Sequence, residues 1–347
     1  MALTLTIMAP DDAHLHLRDG ASLLYTVAAS AQSFKRAVVM PNLVPPITSV
    51  DAAGAYRDRI LQALPQGTSF TPLMTLYLTD QTTPETIDTV AASGFVRAIK
   101  LYPAGATTNA HAGVTQLERL MPVLERMTYH QIPLLMHGEV TDPLVDIFDR
   151  EAVFIERVLA PLRGVLPELP MVLEHITTAD AVAFCRAQSG RFAATVTPQH
   201  LLYQRNDMLV GGIRPHLYCL PILKRRHDQE ALVQAVVSGD SRFFLGTDSA
   251  PHARHSKEAA CGCAGVFNAP VAMEVYAHVF EEQNALDRLE NFSSRFAADF
   301  YQMPHNTDTL TLIREPWVVP EQMSYGTQGS LIPLLAGQQL NWKVHHG

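Results

Sequence analysis

Two histidines separated by one residue, His14 and His16, stand near the start of the chain, after an apolar run from Leu3 to Met8. In an extended strand, side chains two residues apart point to the same face. The pair could therefore bind one metal ion from the end of a strand. Two exposed histidines in a strand-to-loop turn would give the same pattern, so the pair alone does not decide between these interpretations.

Further polar residues with metal or acid–base chemistry stand where later apolar runs end. They are Asn42, Lys100, His137, His175 and Asp248. Four imidazoles and one carboxylate suit a borderline ion such as zinc, but four histidines exceed the three protein ligands usual at one catalytic zinc. Two ions fit this set if a bridging ligand exists. A buried lysine with a depressed pKa can react as a free amine, and its carbamate with carbon dioxide would offer two bridging oxygens.

Each of these residues also has an ordinary explanation. A histidine that ends a strand is often only a hydrogen-bonded polar residue at a rim, and Asp248 after Gly-Thr could cap a helix. Lys100 could lie on the outer face of its strand and reach solvent. The occurrence of four histidines, a lysine and an aspartate at the same strand ends favours a functional site.

An alternation of strands and helices is needed to bring these residues together. The predicted strands are Leu3–Met8 (carrying into His14 and His16), Arg36–Met40, Thr71–Leu78, Val96–Leu101, Ile132–Met136, Met171–Leu173, Phe192–Val196 and Phe243–Leu245. Eight such units, each followed by a helical stretch, predict a (β/α)₈ TIM barrel of the α/β class, whose active site lies at the C-terminal ends of the strands. A doubly wound open sheet is the alternative, but it would normally show a Gly-rich phosphate turn after the first strand, and this sequence has none.

The last part of the chain is predicted to be an appendage of the barrel. Residues 1–347 are expected to form one domain, in which residues from about 269 to 347 give one or two helices, Val271–Glu281 and Ser293–Tyr301, and a Pro-rich tail. This C-terminal helical extension is expected to pack on the barrel.

Composition excludes several classes of function. The chain has 347 residues, 47% of them hydrophobic, and a net charge of −8 without a basic run, so nucleic acid is not an expected partner. It shows neither a secretory signal nor an apolar stretch that could span a bilayer, and we expect a cytoplasmic protein with no membrane partner. Four cysteines do not suggest a disulfide framework, and Cys261 and Cys263 are expected to be free thiols in a loop.

Six motifs, spread in order over most of the chain, resemble those of the dihydroorotases of the amidohydrolase superfamily, specifically the monofunctional bacterial type II kind. They are Asp12-Ala-His-Leu-His-Leu-Arg18, Met40-Pro-Asn-Leu43, Lys100-Leu-Tyr-Pro-Ala-Gly-Ala-Thr-Thr-Asn109, Met136-His-Gly-Glu139, Leu173-Glu-His-Ile-Thr-Thr178 and Gly246-Thr-Asp-Ser-Ala-Pro-His252. No ligand position of the family pattern is changed.

The resemblance implies a role for each residue. One zinc ion would be held by His14, His16 and Asp248, a second by His137 and His175, and Lys100 as N6-carboxylysine would bridge both. The substrate-contacting set would be Arg18, Asn42, His137, Leu220, His252 and Ala264, in which Arg18, Asn42 and His252 bind the α-carboxylate. Thr107 and Thr108 would belong to a mobile loop that closes over the substrate.

The resemblance also implies the reaction, a reversible cyclisation of N-carbamoyl-L-aspartate to L-dihydroorotate with release of water, in pyrimidine (UMP) biosynthesis. In the hydrolytic direction a hydroxide bridging the two metals would attack the ring amide carbonyl, with Asp248 as general base and acid. The implied assembly is a homodimer. Alternatives are another cyclic amidohydrolase, hydantoinase- or allantoinase-like, and a non-catalytic scaffold homologue. Glu139, His200 and His255 have no assigned role and are expected at the rim or behind the ligands.

Overall fold

The computed structural model describes residues 3–345, in which eight parallel strands form a barrel. The strands in chain order are β1 (Thr4–Met8), β2 (Asp11–Leu15), β3 (Arg36–Val39), β4 (Thr71–Tyr77), β5 (Val96–Leu101), β6 (Leu134–His137), β7 (Met171–Glu174), β8 (Phe192–Val196), β9 (Phe243–Leu245), β10 (Thr309–Ile313), β11 (Trp317–Val318), β12 (Met323–Ser324), β13 (Ser330–Leu331), β14 (Gln339–Leu340) and β15 (Lys343–His345). The barrel consists of β2 to β9, each paired in parallel with the next in the chain. This arrangement is the predicted TIM barrel.

Helices follow the barrel strands along the chain. They are α1 (Leu23–Ala31), α2 (Val50–Gln62), α3 (Pro84–Ser93), α4 (Met121–His130), α5 (Arg150–Phe154), α6 (Ala160–Val165), α7 (Ala179–Ala187), α8 (Pro198–Leu202), α9 (Arg205–Leu209), α10 (Arg226–Val236), α11 (Arg254–Lys257), α12 (Ala272–Glu282) and α13 (Phe296–Phe300). π-helical turns at Ile155–Leu159 and Asn291–Arg295 lead into α6 and α13. Within residues 3–345, no helix is both long and apolar enough to cross a membrane.

The barrel closes where its first and last strands meet. The amide of Asp248 donates to the carbonyl of His14 at 2.9 Å, and the amide of His16 donates to the carbonyl of Ser249 at 3.1 Å. The buried carboxylate of Asp12 accepts hydrogen bonds from the amide and the hydroxyl of Thr247 at 2.8 and 2.5 Å. The seam of the barrel therefore lies directly at His14, His16 and Asp248.

One prediction about the N-terminal end is wrong, and the C-terminal extension holds strands in addition to the expected helices. The predicted first strand, Leu3–Met8, does not carry the two histidines, because β1 leaves the barrel and pairs antiparallel with β10. His14 lies in a separate strand, β2, and His16 directly follows it. The predicted helical extension also contains strands, since β10 pairs with β15 and further short strands pair in the segment called a tail. Helix α12 agrees with the expected Val271–Glu281, and the second predicted helix is a π-helical turn followed by α13.

The interior of the barrel is filled by one inward residue from each strand. This layer consists of Ala13, Val38, Leu73, Ala98, Leu135, Val172, Ala193 and Phe244. Phe296, Phe300, Tyr301 and Met303, from α13 and the turn after it, pack against the layer. Because side chains alternate along a strand, residues two positions further on face the same interior, nearer the C-terminal ends.

Candidate metal and substrate site

Two-residue steps from the apolar layer lead directly to polar side chains at the C-terminal ends of the strands. Ala98 is followed by Lys100, Leu135 by His137, Val172 by Glu174 and Ala193 by Thr195. All four polar residues are buried. The strand register therefore aims Lys100 into the barrel rather than to solvent, which answers the question that the sequence left open.

His14, His16 and Asp248 place their donor atoms around one point. The Nε2 atoms of His14 and His16 are 3.3 Å apart, and Oδ1 of Asp248 lies 3.5 and 3.1 Å from them, respectively. Ligand atoms of the three residues all lie within 4.8 Å of one another, which fits a metal ion. Gly246 allows this approach, since a Cβ there would lie 2.6 Å from Cβ of Thr195 and 3.1 Å from that of His14.

His137 and His175 stand beside this cluster. The ring centroids of His14 and His175, and of His137 and His175, are each 4.9 Å apart. His175 reaches this position with a φ of 42°, and Asp248 has a φ of 46°. Left-handed backbone at non-glycine residues is strained and concentrates at functional sites.

Burial keeps the imidazoles neutral, as metal ligands must be. Desolvation lowers the pKa of His14 and of His175 well below the ordinary value, and neighbouring cationic groups lower both further. The pKa of His16 is lowered by the same desolvation. At neutral pH these rings have lone pairs for an ion.

Lys100 is fully buried, and its Nζ has no hydrogen-bond partner among the described residues. Burial lowers its pKa from 10.5 to about 8, although the charges of Glu174 and Asp248 oppose the shift. The side chain is therefore readily deprotonated, and the free amine is the form that reacts with carbon dioxide. Nδ1 of His175 is another buried atom without a partner in residues 3–345.

Carboxylates that the sequence reasoning missed or left unassigned orient the histidines. Glu174 accepts a hydrogen bond from Nδ1 of His14 at 2.8 Å and from the hydroxyl of Thr195 at 2.6 Å. Glu139 lies 2.8 Å from Nε2 of His137. Metal-binding histidines commonly donate their second ring N–H to such an acceptor, which fixes the ring and the tautomer. The signal for Glu174 is its two-residue step from Val172, which can be used only once the inward register of β7 is known.

A small pocket opens next to the cluster. It is lined by His16, Arg18, Asn42, Thr107, Thr108, Leu220, Asp248, Ala250, Ala264 and Gly265. Eight of these ten residues belong to the set named from the sequence, and only Ala250 and Gly265 are additions. His252 lies beside them, with Nε2 2.8 Å from Nη2 of Arg18.

The loop that carries Thr107 and Thr108 covers this pocket. The amide of the Asn42 side chain donates to the carbonyl of Thr108 at 3.0 Å, and that of Asn109 donates to the carbonyl of Asn42 at 3.0 Å. The cavity left beneath the loop is about 20 Å³, room for roughly one water.

The unassigned residues fall into two groups. His200 is buried and lies 2.7 Å from the hydroxyl of Thr197 and 3.0 Å from the carbonyl of Pro221, so it joins two loops behind the pocket. His255 and Cys261 are exposed, and all four cysteines are free thiols.

Comparison with known proteins adds an independent observation. The model of the amidohydrolase family matches residues 7–321. A dihydroorotase of Idiomarina loihiensis is 60% identical over 341 residues, which is 98% of this chain and 99% of the relative. The chain belongs to the dihydroorotases of the amidohydrolase family.

Solved dihydroorotase structures share the whole fold. The match to the Campylobacter jejuni dihydroorotase has a TM-score of 0.92 at 36% identity. It covers 100% of this chain and 98% of the Campylobacter chain. The match to the Saccharomyces cerevisiae dihydroorotase in complex with 5-fluoroorotic acid has a TM-score of 0.91 at 34% identity. It covers 99% of this chain and 98% of the yeast chain. An L-hydantoinase from Arthrobacter aurescens, with a TM-score of 0.81 at 15% identity, shares the fold alone.

Proposed function

We propose that the chain is a metal-dependent dihydroorotase that interconverts N-carbamoyl-L-aspartate and L-dihydroorotate, with water released on cyclisation, in pyrimidine biosynthesis. The observation that carries the proposal is that one pocket is lined both by His16 and Asp248 of the metal-type cluster and by the guanidinium-bearing Arg18. A cyclic amide that also bears a carboxylate needs both.

The donor set fits two divalent ions, which we propose to be zinc. His14, His16 and Asp248 would hold one ion, His137 and His175 the other, and Lys100 as N6-carboxylysine would join them. The buried, unpartnered Nζ of Lys100 and Nδ1 of His175 support this assignment, since an unsatisfied polar atom in a protein interior is costly. When bound, the ions would polarise the ring carbonyl and lower the pKa of the attacking water.

Asp248 is suited to carry the proton. Burial raises the pKa of Asp248, but the hydrogen bond from His16 and the nearby charges lower it more, so the net shift is downward and the carboxylate is ionised at neutral pH. In hydrolysis it would accept a proton as water adds to the ring carbonyl and return it to the ring nitrogen as the C–N bond breaks. Cyclisation begins with this proton on Asp248, so we expect cyclisation to prefer a lower pH than hydrolysis.

Arg18, Asn42 and His252 would bind the α-carboxylate, for which the planar guanidinium of Arg18 offers a paired set of donors. Burial and the charge of Arg18 lower the pKa of His252 to about 2, so its ring is neutral. Nε2 of His252 lies close to both Arg18 and the carbonyl of Ala264, at 2.8 and 3.1 Å, and one nitrogen cannot serve both. A bound carboxylate that engages Arg18 would free Nε2–H of His252 to donate to that same carboxylate.

The test is hydrolysis of L-dihydroorotate by zinc-loaded protein, followed by ultraviolet absorbance, beside the Lys100→Ala variant and beside dihydrouracil, which lacks the carboxylate. We expect turnover of dihydroorotate by the native chain, loss of turnover in the variant, and little reaction with dihydrouracil. A native chain that binds two zinc ions but leaves dihydroorotate unchanged would refute the proposed substrate. Faster reaction with dihydrouracil would favour a hydantoinase-like enzyme.

A further inference from the structure

Lys257, which no part of the proposed mechanism uses, holds its ammonium in a cage of backbone carbonyls. The residue ends α11 and only 3% of it is exposed. Its Nζ donates to the carbonyls of Tyr218, Cys263 and Gly265 at 2.8, 2.7 and 2.7 Å. All three N–H bonds of the ammonium are thereby used. A buried charge is costly unless it is hydrogen-bonded, so this cage is built around a cation.

The three carbonyls belong to two segments that form one wall of the substrate pocket. Leu220 follows Tyr218 by two residues, and Ala264 and Gly265 line the pocket themselves. The two segments are also joined directly, since the amide of Gly265 donates to the carbonyl of Tyr218 at 3.0 Å. Lys257 therefore lies behind the wall and contacts both of its parts.

The cage determines which peptide group faces the pocket. The carbonyls of Cys263 and Gly265 point to Lys257, and the amides of the same two residues donate to Ser256 and Tyr218. The carbonyl between them, that of Ala264, faces the opposite way and lies 3.1 Å from Nε2 of His252 and 3.4 Å from the hydroxyl of Thr108. In an extended chain, successive carbonyls point in alternating directions. Lys257 determines which of these carbonyls point away from the pocket and which one points toward it.

We propose that Lys257 is a positioning residue for substrate binding, whose ammonium fixes segments 218–220 and 263–265 so that the peptide groups of Leu220 and Ala264 face the bound ring. This inference rests on the proposed function, because it takes the pocket as the dihydroorotate site. Lys257 contacts no reacting atom and acts only through the backbone that it holds. Its loss therefore affects binding more than the chemical step.

The test compares Lys257→Met, which keeps the length of the side chain but removes the cation, with a matched control, Arg163→Met. Arg163 is also a buried cation on backbone carbonyls, those of Leu169 and Ser189, but these precede β7 and β8 at the opposite end of the barrel. The measurements are KM and kcat for L-dihydroorotate, the zinc content and the melting temperature. Lys257→Arg is measured as the rescue variant.

We expect Lys257→Met to raise KM about tenfold while kcat falls by less than about threefold, with zinc content unchanged. Lys257→Arg, which restores a cation with several donors, should bring KM back toward the native value. Arg163→Met should lower the melting temperature and leave KM unchanged. An unchanged KM in Lys257→Met, with a loss of melting temperature like that of the control, would show a purely structural residue and overturn the proposal.

If Lys257→Met does not fold, Lys257→Gln carries the test. The glutamine side chain has two N–H donors, whereas the ammonium has three, and it carries no charge. Lys257→Gln should therefore raise KM at least about threefold. A folded Gln variant with native KM would overturn the proposal. If the native chain does not turn over dihydroorotate, both the proposed function and the role of Lys257 are overturned. If the native chain is active but the Lys257 variants keep the native KM, only the role of Lys257 is overturned.

Discussion

Replacing Lys100 by methionine should abolish activity and yet stabilise the metal-free protein. Met has a similar length and no charge, so it fills the same space at the end of β5. In the metal-free chain Lys100 is fully buried and its Nζ has no hydrogen-bond partner in residues 3–345. The variant loses the amine needed for a bridging carbamate, but it also loses the cost of burying an ammonium.

The size and pH dependence of this stabilisation follow from the pKa of Lys100, which burial lowers from 10.5 to about 8. Because the folded pKa is depressed, the unfolded chain binds more protons between these values, and native stability rises as pH increases through them. Below pH 8 the full cost applies, at most about 3 kcal/mol, and near pH 10 only about 1 kcal/mol remains. The value of about 8 already includes the favourable charges of Glu174 and Asp248, so they make no further correction to the gain.

The assay is urea unfolding of metal-stripped native chain and Lys100→Met at pH 7 and pH 10. We expect the variant to be more stable by about 2–3 kcal/mol at pH 7 and by about 1 kcal/mol at pH 10. Lys343→Met, at an exposed position of β15, is the control and should show no such difference between the two pH values. A less stable Lys100→Met protein, or an equal difference at both pH values, would refute the reasoning.

Three further predictions concern other residues. Glu174→Gln should weaken zinc binding about 10- to 100-fold, because the acceptor that holds His14 loses its charge; competition with a chelating dye measures this, and native affinity would contradict it. Arg18→Met should lower the preference for dihydroorotate over dihydrouracil by about 100-fold, the effect of a lost charge-assisted contact of 2–3 kcal/mol, and steady-state kinetics with both substrates would show whether the preference survives. Trp342→Ala should cost about 3–5 kcal/mol of unfolding free energy, because this ring is fully buried and its Nε1 donates to Glu281 at 3.0 Å. KM should not change, since Trp342 precedes β15 in the sheet outside the barrel; denaturant unfolding paired with kinetics decides.

Most of the barrel could be predicted because β3 to β9 are short, mainly apolar runs between turn residues. Val96–Leu101, Phe192–Val196 and Phe243–Leu245 have the bounds expected from the sequence. The first strand could not be predicted correctly, because β1 is as apolar as a barrel strand and only its partner β10, some three hundred residues later, takes it out of the barrel. The short strands β11 to β14 could not be predicted for a different reason: each has only two residues, too few to show a strand pattern.

The part of the candidate site that could be predicted consists of the histidines, the lysine and the aspartate at the ends of the predicted strands. The strands bring His14, His16, Lys100, His137 and His175 together, and the bulk of the pocket lining was named in advance; the roles of these residues stay predictions. Glu174 was missed because a glutamate before a histidine carries no signal without the inward register. Lys257 could not be found from sequence at all, since its partners are backbone carbonyls, which every residue has.

The seam of the barrel has a consequence for the synthesis of the chain. Asp12, His14 and His16 belong to the first barrel strand and the turn after it, whereas Thr247 and Asp248 follow the last, and the two groups meet only when the ring of strands is complete. A nascent chain that ends before Phe243 can expose two histidines but has no aspartate to complete the ligand set. If these three side chains bind the proposed ion, binding through all three would begin only once the barrel has closed, and its onset during translation would mark that moment.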